Sequence, residues 1–261
     1  MKKWLNWIAL VIVFSIACGF LANWQFSRRE TKLDSIALVK QNFNATPVPI
    51  SEYLPDSTMD PKKDQWRRVN LTGSYLPNHE LLVRNRPNNG QVGFEQLVPF
   101  QVDGFGIVYI TRGWLPTGQL QDAPDENPLP STVTTSIVAW IIGEEPRLER
   151  TAPEGQISTI NIALANELTG LHSRLENGYV RLQVETPAVS KKLISMPAPS
   201  TEEGNNLSYA VQWIIFAGMA TAALIWRIRR DSQLATGTVK QRKKTRAEID
   251  QETEDELTRA K

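Results

Sequence analysis

The chain has 261 residues, of which 29 are Lys or Arg and 28 are Asp or Glu, and 41% are hydrophobic. This near-balance of charge excludes a dedicated nucleic-acid-binding protein, which normally carries a clear basic excess. The composition also excludes an intrinsically disordered chain. A single Cys excludes an intramolecular disulfide and every Cys-pair motif, and two His leave little for a zinc or copper site.

The charge is unevenly distributed along the chain. Residues 1–26 carry two basic and no acidic residues, whereas residues 27–206 carry 17 basic and 21 acidic residues, a net charge of −4. From residue 207 onward, 10 basic and 7 acidic residues give +3. The middle of the chain is therefore mildly acidic, and both ends are basic.

The first predicted element is a transmembrane helix over residues 4–26, after a short N-terminus of residues 1–3. No charged residue lies between Lys3 and Arg28, the length suits a bilayer span, and Trp residues at both edges suit the membrane–water interfaces. A cleaved signal peptide and a lipoprotein signal ending at Cys18 are the alternatives. The apolar stretch is long for a cleaved signal peptide. A lipoprotein signal needs a branched aliphatic residue at the position that Ser15 occupies. We therefore expect an uncleaved anchor, with Cys18 as a small buried residue.

A second transmembrane helix is predicted over residues 207–228, which are uncharged up to Arg227 and rich in small residues that allow close helix packing. Two spans place both termini on one side of the membrane, and the basic cluster in the charged tail, residues 229–261, predicts that this side is the cytoplasm. Residues 27–206 then form an extracytoplasmic domain. Because no Arg- and Ser-rich presequence precedes the first span, we expect a multi-pass protein of a bacterial plasma (inner) membrane.

The domain between the spans is predicted to be an antiparallel β-rich (α+β) domain. Residues 30–43 continue the first helix outward, and residues 161–168 form a short helix at best. Six segments with alternating or apolar patterns and turn signals between them are predicted strands: residues 68–75, 80–86, 94–100, 107–112, 132–142 and 179–185. Their short connections are typical of an antiparallel sheet or a barrel-like domain.

No catalytic constellation is present. The sequence lacks G-x-S-x-G, H-E-x-x-H, C-x-x-C and a phosphate-binding loop, and acid pairs such as Glu144–Glu145 lie beside Pro and are interpreted as solvated loop charge. We therefore predict neither catalytic residues nor metal ligands, and a protein that is not an enzyme. A membrane-anchored enzyme or sensor of the cell envelope is the alternative from a different class.

Residues 112–116 (RGWLP) are more specific than other segments. Gly113 allows a sharp bend and Pro116 prevents the strand from continuing. Arg112 and Trp114 could stack as a cation and a ring. Two interpretations stay open, a strand terminus with an aromatic plug or a rigid surface feature for a partner.

Polar residues also lie at the outer ends of both predicted spans. Trp24 and Gln25 close the first span, and Gln212 and Trp213 lie inside the second. At 1.5 Å per residue, Gln212 is about 7–8 Å below the start of its helix, where an amide needs a partner. We expect Gln25 and Gln212 to bond each other or to face a polar ligand.

Five segments resemble, in order, motifs of the Surfeit locus protein 1 family. Residues 24–32 (WQFSRRETK) resemble W-Q-x-x-R…K, and residues 205–213 (NNLSYAVQW) resemble N-H-x-x-Y-A-x-Q-W. Between them, residues 67–75 resemble R-V…G-x-[YF], residues 93–99 resemble G-[YF]…[LT]-P, and residues 112–116 resemble R-G-W-x-P. The matches lie between residues 19 and 216, with the two-span architecture of the family.

The resemblance implies an assembly factor for a haem–copper cytochrome c oxidase. Such a protein assists maturation of oxidase subunit I and insertion or retention of haem a. It implies subunit I as partner, haem a synthesis or delivery proteins as further candidates, and no nucleic acid. In bacterial members a His that opens the second span has been considered a haem ligand. Here Asn206 takes its place, so haem a is a doubtful cofactor. The alternative is a haem-free membrane scaffold that stabilises an oxidase intermediate.

The candidate residues that face a partner or haem are therefore Trp24, Gln25, Arg112, Trp114, Asn206, Tyr209, Gln212 and Trp213.

Overall fold

A computed structural model describes residues 2–120, 122–188 and 191–236. The chain divides into two compact units, one made of Met1–Arg29 with Gly204–Lys261 and the other of Glu30–Glu203. We call them the helical unit and the β unit. The predicted tail, residues 229–261, begins inside a helix, and its part from residue 237 onward lies outside the described residues.

Four α-helices occur in the described residues: α1 (Lys2–Asn42), α2 (Ile50–Tyr53), α3 (Ile162–Thr169) and α4 (Asn206–Ala235). Two of them, α1 and α4, are long and apolar enough to cross a membrane, as the sequence predicted. The first helix continues without a break to Asn42, which confirms the helix expected over residues 30–43.

The helical unit buries small side chains. Cys18 is 1% exposed, Ala22 is 5% exposed, and Ala210 on α4 is fully buried. Half-buried residues accompany them at spacings of three and four, on α1 at positions 4, 11, 15 and 25 and on α4 at positions 206, 213, 217, 220 and 224. This spacing is typical of one helix face packed against another. Cys18 is thus the small buried residue that the sequence predicted.

The β unit contains eight strands: β1 (Val48–Pro49), β2 (Arg68–Tyr75), β3 (Leu81–Asn88), β4 (Gln91–Val102), β5 (Gly106–Pro116), β6 (Thr135–Gly143), β7 (Gln156–Ile157) and β8 (Gly178–Thr186). All six predicted strands are present, and β2 has the predicted bounds. The strand order is β1-β2-β6-β8-β5-β4-β3-β7, and a further pairing joins β2 to β4. Five strands, β2, β6, β8, β5 and β4, therefore close into a ring, which confirms the barrel-like alternative.

The predicted antiparallel β-rich domain is present with one exception in the ring, because β5 and β8 pair in parallel at Ile110↔Val180 and Thr111↔Arg181. The reason is that the ring has an odd number of strands. Strand directions can alternate around a closed ring only when the number of strands is even, so a ring of five must contain a parallel pair. The other four pairs of the ring are antiparallel. The short strands β1 and β7 also pair in parallel, with β2 and β3.

The ring encloses the main core. Its fully buried side chains alternate along the strands, as in Val69 and Leu71 of β2 and in Ile137, Ala139 and Ile141 of β6. A second cluster packs α3 against β3 and β4. Helix α3 begins after Asn161, whose side chain accepts the N–H of Leu164 at 3.1 Å, and ends at Gly170 in a left-handed conformation.

The end of α1 is fixed within the β unit by polar and aromatic contacts. The Asn42 side chain donates to the carbonyls of Lys63 and Gln65, at 2.8 and 3.0 Å. The Phe43 ring stacks on Trp140 with 4.6 Å between centroids, and the Trp140 indole N–H donates to the Phe43 carbonyl at 3.0 Å. These bonds satisfy carbonyls that a helix end and a loop would otherwise leave without partners.

Candidate functional site

The candidate residues lie in two places, six on the helices of the helical unit and two in the barrel. On the helices, Gln25, Asn206 and Trp213 are half-buried along the packed face. The other three, Trp24, Tyr209 and Gln212, are exposed. Tyr209 and Gln212 are three residues apart and therefore share a face of α4.

Trp24 and Trp213 contact neighbours on their own helices. The Arg28 guanidinium lies 5.6 Å from the centre of the Trp24 ring, and Trp213 meets Phe216 edge-on at 5.8 Å. Within the described residues, no hydrogen bond joins the side chains of Gln25 and Gln212. The other role predicted for these amides, to face a polar ligand, stays a prediction.

Arg112 in the barrel is buried, with 7% of its surface exposed. The register of β4 and β5 shifts at this point, since Gln96 pairs with Gly113 and Leu97 with Thr111. Arg112 is therefore the extra residue of a β-bulge, and bulges redirect side chains. The result is a guanidinium that faces the interior of the domain.

The Arg112 guanidinium holds together three strands and a loop. It lies 3.3 Å from the carboxylate of Glu185 on β8, 5.2 Å from the centre of the Tyr75 ring on β2, and donates to the side-chain oxygen of Gln96 on β4 at 2.5 Å. It also donates to the carbonyl of Pro128 at 3.2 Å. A charge buried in this way is tolerated because it is paired and hydrogen-bonded.

The same network extends through Tyr75 and Gln96. The Tyr75 hydroxyl donates to Glu185 at 2.9 Å, and burial followed by the charge of Glu185 raises the pKa of Tyr75 well above its usual value. The Gln96 amide donates to Asn127 at 2.7 Å and to Glu80 at 3.1 Å. These bonds fix the Pro-rich loop after β5 against the barrel.

Trp114 is also buried, with 3% of its surface exposed. Its indole N–H donates to the carbonyl of Arg86 at 2.7 Å, and its backbone pairs with Ile194. The prediction that Arg112 and Trp114 stack on the surface is therefore wrong. Arg112 stacks on Tyr75 instead, and Arg112 and Trp114 are both buried. The alternative of an aromatic plug describes Trp114 correctly, although it lies within β5 rather than beyond its end.

A second buried charge cluster was not predicted. The Arg86 guanidinium lies 3.2 Å from Glu95 and 2.8 Å from Glu145. Burial raises the pKa of Glu95. The side chain of Glu144 accepts the N–H of Ile162 at 2.9 Å, so the interpretation of Glu144 and Glu145 as solvated loop charge is wrong. The sequence signal for both clusters is the adjacent polar pair Glu95 and Gln96 within the apolar run of β4.

The comparison with known families matches residues 12–218 to the model of the SURF1 family. That range contains most of α1, the whole β unit and the first part of α4. The chain belongs to the SURF1 family.

Relatives within the SURF1 family include bacterial and eukaryotic proteins. An uncharacterised SURF1-like protein of Mycobacterium tuberculosis is 31% identical over 227 residues, which are 85% of this chain and 82% of that protein. A SURF1-like protein of Rickettsia bellii is 24% identical over 87% of this chain and 92% of its own length. The cytochrome oxidase assembly protein Shy1 of Saccharomyces cerevisiae is 32% identical over 124 residues, which are 47% of this chain and 31% of Shy1.

Neither histidine of this SURF1-family chain lies on α1 or α4, so no imidazole is available at the start of α4 to ligate a haem iron. Both of its histidines, His79 and His172, lie in the β unit, and the ring of His79 is bonded to the Thr169 carbonyl at 3.0 Å. At the start of α4, Asn206 offers an amide, which is a poor iron ligand. Among the described residues, no cluster of three or more His, Cys, Asp or Glu could hold a metal ion.

Proposed function

We propose that the chain is a non-catalytic assembly factor for a haem–copper cytochrome c oxidase. The observation that carries the proposal is the family match, which covers most of α1, the whole β unit and the first part of α4. The name of its yeast relative, a cytochrome oxidase assembly protein, supports it. The alternative of a cell-envelope enzyme or sensor has no comparable support.

The proposed client is oxidase subunit I, at the stage of haem a insertion or retention. The chain assists this stage by holding the subunit while haem a is inserted. On this proposal the exposed Tyr209 and Gln212 face the client, and the buried Arg112 and Trp114 position the loops of the β unit. Haem a synthesis or delivery proteins are further proposed partners.

The proposed location is a bacterial plasma membrane, with α1 and α4 as spans and both termini in the cytoplasm. Arg227, Arg229 and Arg230 near the end of α4 support this orientation. In a Cys18→Ala background, Leu120→Cys places one thiol at a residue that is 98% exposed. A membrane-impermeant maleimide should label this thiol in intact cells and should not label Leu234→Cys. The reverse pattern would overturn the orientation.

The oxidase role is tested by deleting the gene and restoring it. The deletion should lower oxidase activity and the haem a absorbance of membranes, and the wild-type chain should restore both. Normal oxidase activity and haem a content in the deletion strain would overturn the proposal.

A haem-free scaffold is the second candidate function, and Asn206 favours it. After incubation with haem a and removal of unbound haem by gel filtration, the wild-type chain should retain no Soret band, while Asn206→His should retain one because imidazole ligates iron. Asn205→His is the matched control and should gain none, since residue 205 precedes the helix. A Soret band in the wild type would refute the scaffold and favour a haem carrier.

A further inference from the structure

A cleft of 680 Å³ lies between the two helices of the helical unit, near the N-terminus of α1 and the C-terminal part of α4. Trp4, Trp7 and Val11 line it from α1. From α4 it is lined by Ala220, Ala223, Leu224, Arg227 and Asp231. On each helix these residues follow spacings of three and four and so form one face.

The walls of the cleft change in chemistry along α4. Ala220, Ala223 and Leu224 are apolar, and the two alanines leave depth that larger side chains would fill. One turn further along the helix the wall becomes charged at Arg227. Two Trp rings, the type of side chain that prefers the level of lipid headgroups, stand on the facing wall.

Arg227 differs from its basic neighbour on the same helix. The Arg230 guanidinium lies 5.3 Å from the centre of the Trp226 ring, whereas within the described part of the chain Arg227 has no hydrogen bond, ion pair or ring contact. Asp231, which also lines the cleft, has an interaction of its own with another group. Arg227 is thus a guanidinium in the wall of a largely apolar cleft, and no described residue supplies it with an anionic partner.

We propose that this cleft binds an anionic phospholipid, with an acyl chain along the alanine wall and the phosphate at Arg227. The inference rests on the membrane placement proposed above. In a bilayer, a cleft between two spans is filled by lipid or by another helix. A guanidinium matches the geometry of phosphate, and basic pockets between spans on the cytoplasmic side suit anionic headgroups. This combination of apolar wall, Trp and cation favours lipid.

The test uses the full-length chain purified in a mild detergent and incubated with equal amounts of dioleoyl phosphatidylglycerol and dioleoyl phosphatidylcholine. Native mass spectrometry counts the retained lipid. We expect about fivefold more phosphatidylglycerol, since one basic side chain near a membrane surface contributes about that factor. Arg227→Gln should abolish the preference, and Arg230→Gln, the matched control, should keep it. Ala223→Leu, which fills the cleft, should lower retention of both lipids.

Three outcomes would overturn the proposal. The first is equal retention of the two lipids by the wild type, and the second is loss of the preference in Arg230→Gln as well. The third is efficient crosslinking of Ala223→Cys to a second polypeptide in intact membranes, in a Cys18→Ala background, which would assign the cleft to a protein helix. Lipid retention is measured without an oxidase, so a result that overturns lipid binding is distinguishable from one that overturns the proposed assembly role.

Discussion

The Arg112 guanidinium and the Glu185 carboxylate lie 3.3 Å apart at the parallel pair of the barrel ring. Backbone pairing between β5 and β8 covers only two residue pairs, Ile110↔Val180 and Thr111↔Arg181. The ion pair lies beyond them, towards the C-terminal ends of both strands. Buried side chains therefore hold the ring together where its backbone ladder is shortest.

Replacement of Arg112 by Met should destabilise the β unit by about 3–5 kcal/mol, because it leaves the buried Glu185 without its cation. Glu185→Leu should have a similar effect. The double variant should cost clearly less than the sum, since it removes both charges. Denaturant unfolding of the full chain in detergent, followed by Trp fluorescence, measures this.

The control for this cycle is Arg147→Met, which breaks the exposed pair with Glu167. Exposed pairs contribute little to stability, so this variant should unfold close to the wild type. Strict additivity of the Arg112 and Glu185 effects would contradict the coupling.

Gly93→Ala should destabilise the β unit by at least about 1–3 kcal/mol, the usual cost of overpacking. A Cβ at Gly93 would collide with the backbone carbonyl of Leu115 and would lie 2.5 Å from the Trp114 ring. Gly143→Ala is the control, because there the nearest atom would be at 3.5 Å. Comparison of the two unfolding midpoints measures the effect, and equal midpoints would show that Trp114 is not tightly packed.

The effect of Glu145→Gln should depend on pH. Burial alone would raise the pKa of Glu145, but hydrogen bonds from Arg86 and the Ile160 N–H outweigh it and lower the pKa. A carboxylate with a lowered pKa contributes stability that is fully present above its unfolded value of about 4.3 and is lost as the pH falls through the folded value. The variant should therefore be less stable than the wild type at pH 7, and the difference should shrink below about pH 4.

Glu95→Gln should show the opposite trend. Burial raises the pKa of Glu95 despite the charge of Arg86, so the folded state loses stability as the pH rises through that raised pKa. The variant lacks this loss, and its stability relative to the wild type should rise with pH. Unfolding midpoints measured between about pH 2.5 and 8 test both variants, and parallel pH profiles would contradict the assignment.

Replacement of both Gln25 and Gln212 by Leu should lower oxidase activity about three- to tenfold in the complemented deletion strain, which is the effect of losing one or two polar contacts in a membrane. Thr221→Val is the control, since the Thr221 hydroxyl donates to the carbonyl of Ala217 on its own helix. Protein abundance is measured by immunoblot alongside. Full activity of the double variant at normal abundance would contradict a role of these two amides in the function of the protein.

The sequence predicts local structure in this chain better than long-range pairing. The pattern of residues 68–75 matches β2 residue for residue because alternation records one buried face. The parallel contact between β5 and β8 follows from closure of an odd-membered ring, which no local pattern reports. Arg112 was open to a surface interpretation because its partner Glu185 is 73 residues away. Solvated loop charge is the wrong interpretation of Glu145 for the same reason, since its partner Arg86 lies on β3.

Ring closure also has a consequence for the order in which the domain can form. During synthesis, which proceeds from the N-terminus, β4 and β5 can pair as a hairpin and β6 can pair with β2. The edges of β5 and β6 that face each other stay unpaired until β8, Gly178–Thr186, is made and pairs with both. Open strand edges promote association with other chains. A chain that stops before residue 178 lacks one of the five ring strands and leaves the facing edges of β5 and β6 unpaired. We therefore expect such a chain to aggregate, and pairing of β8 with both edges to prevent it.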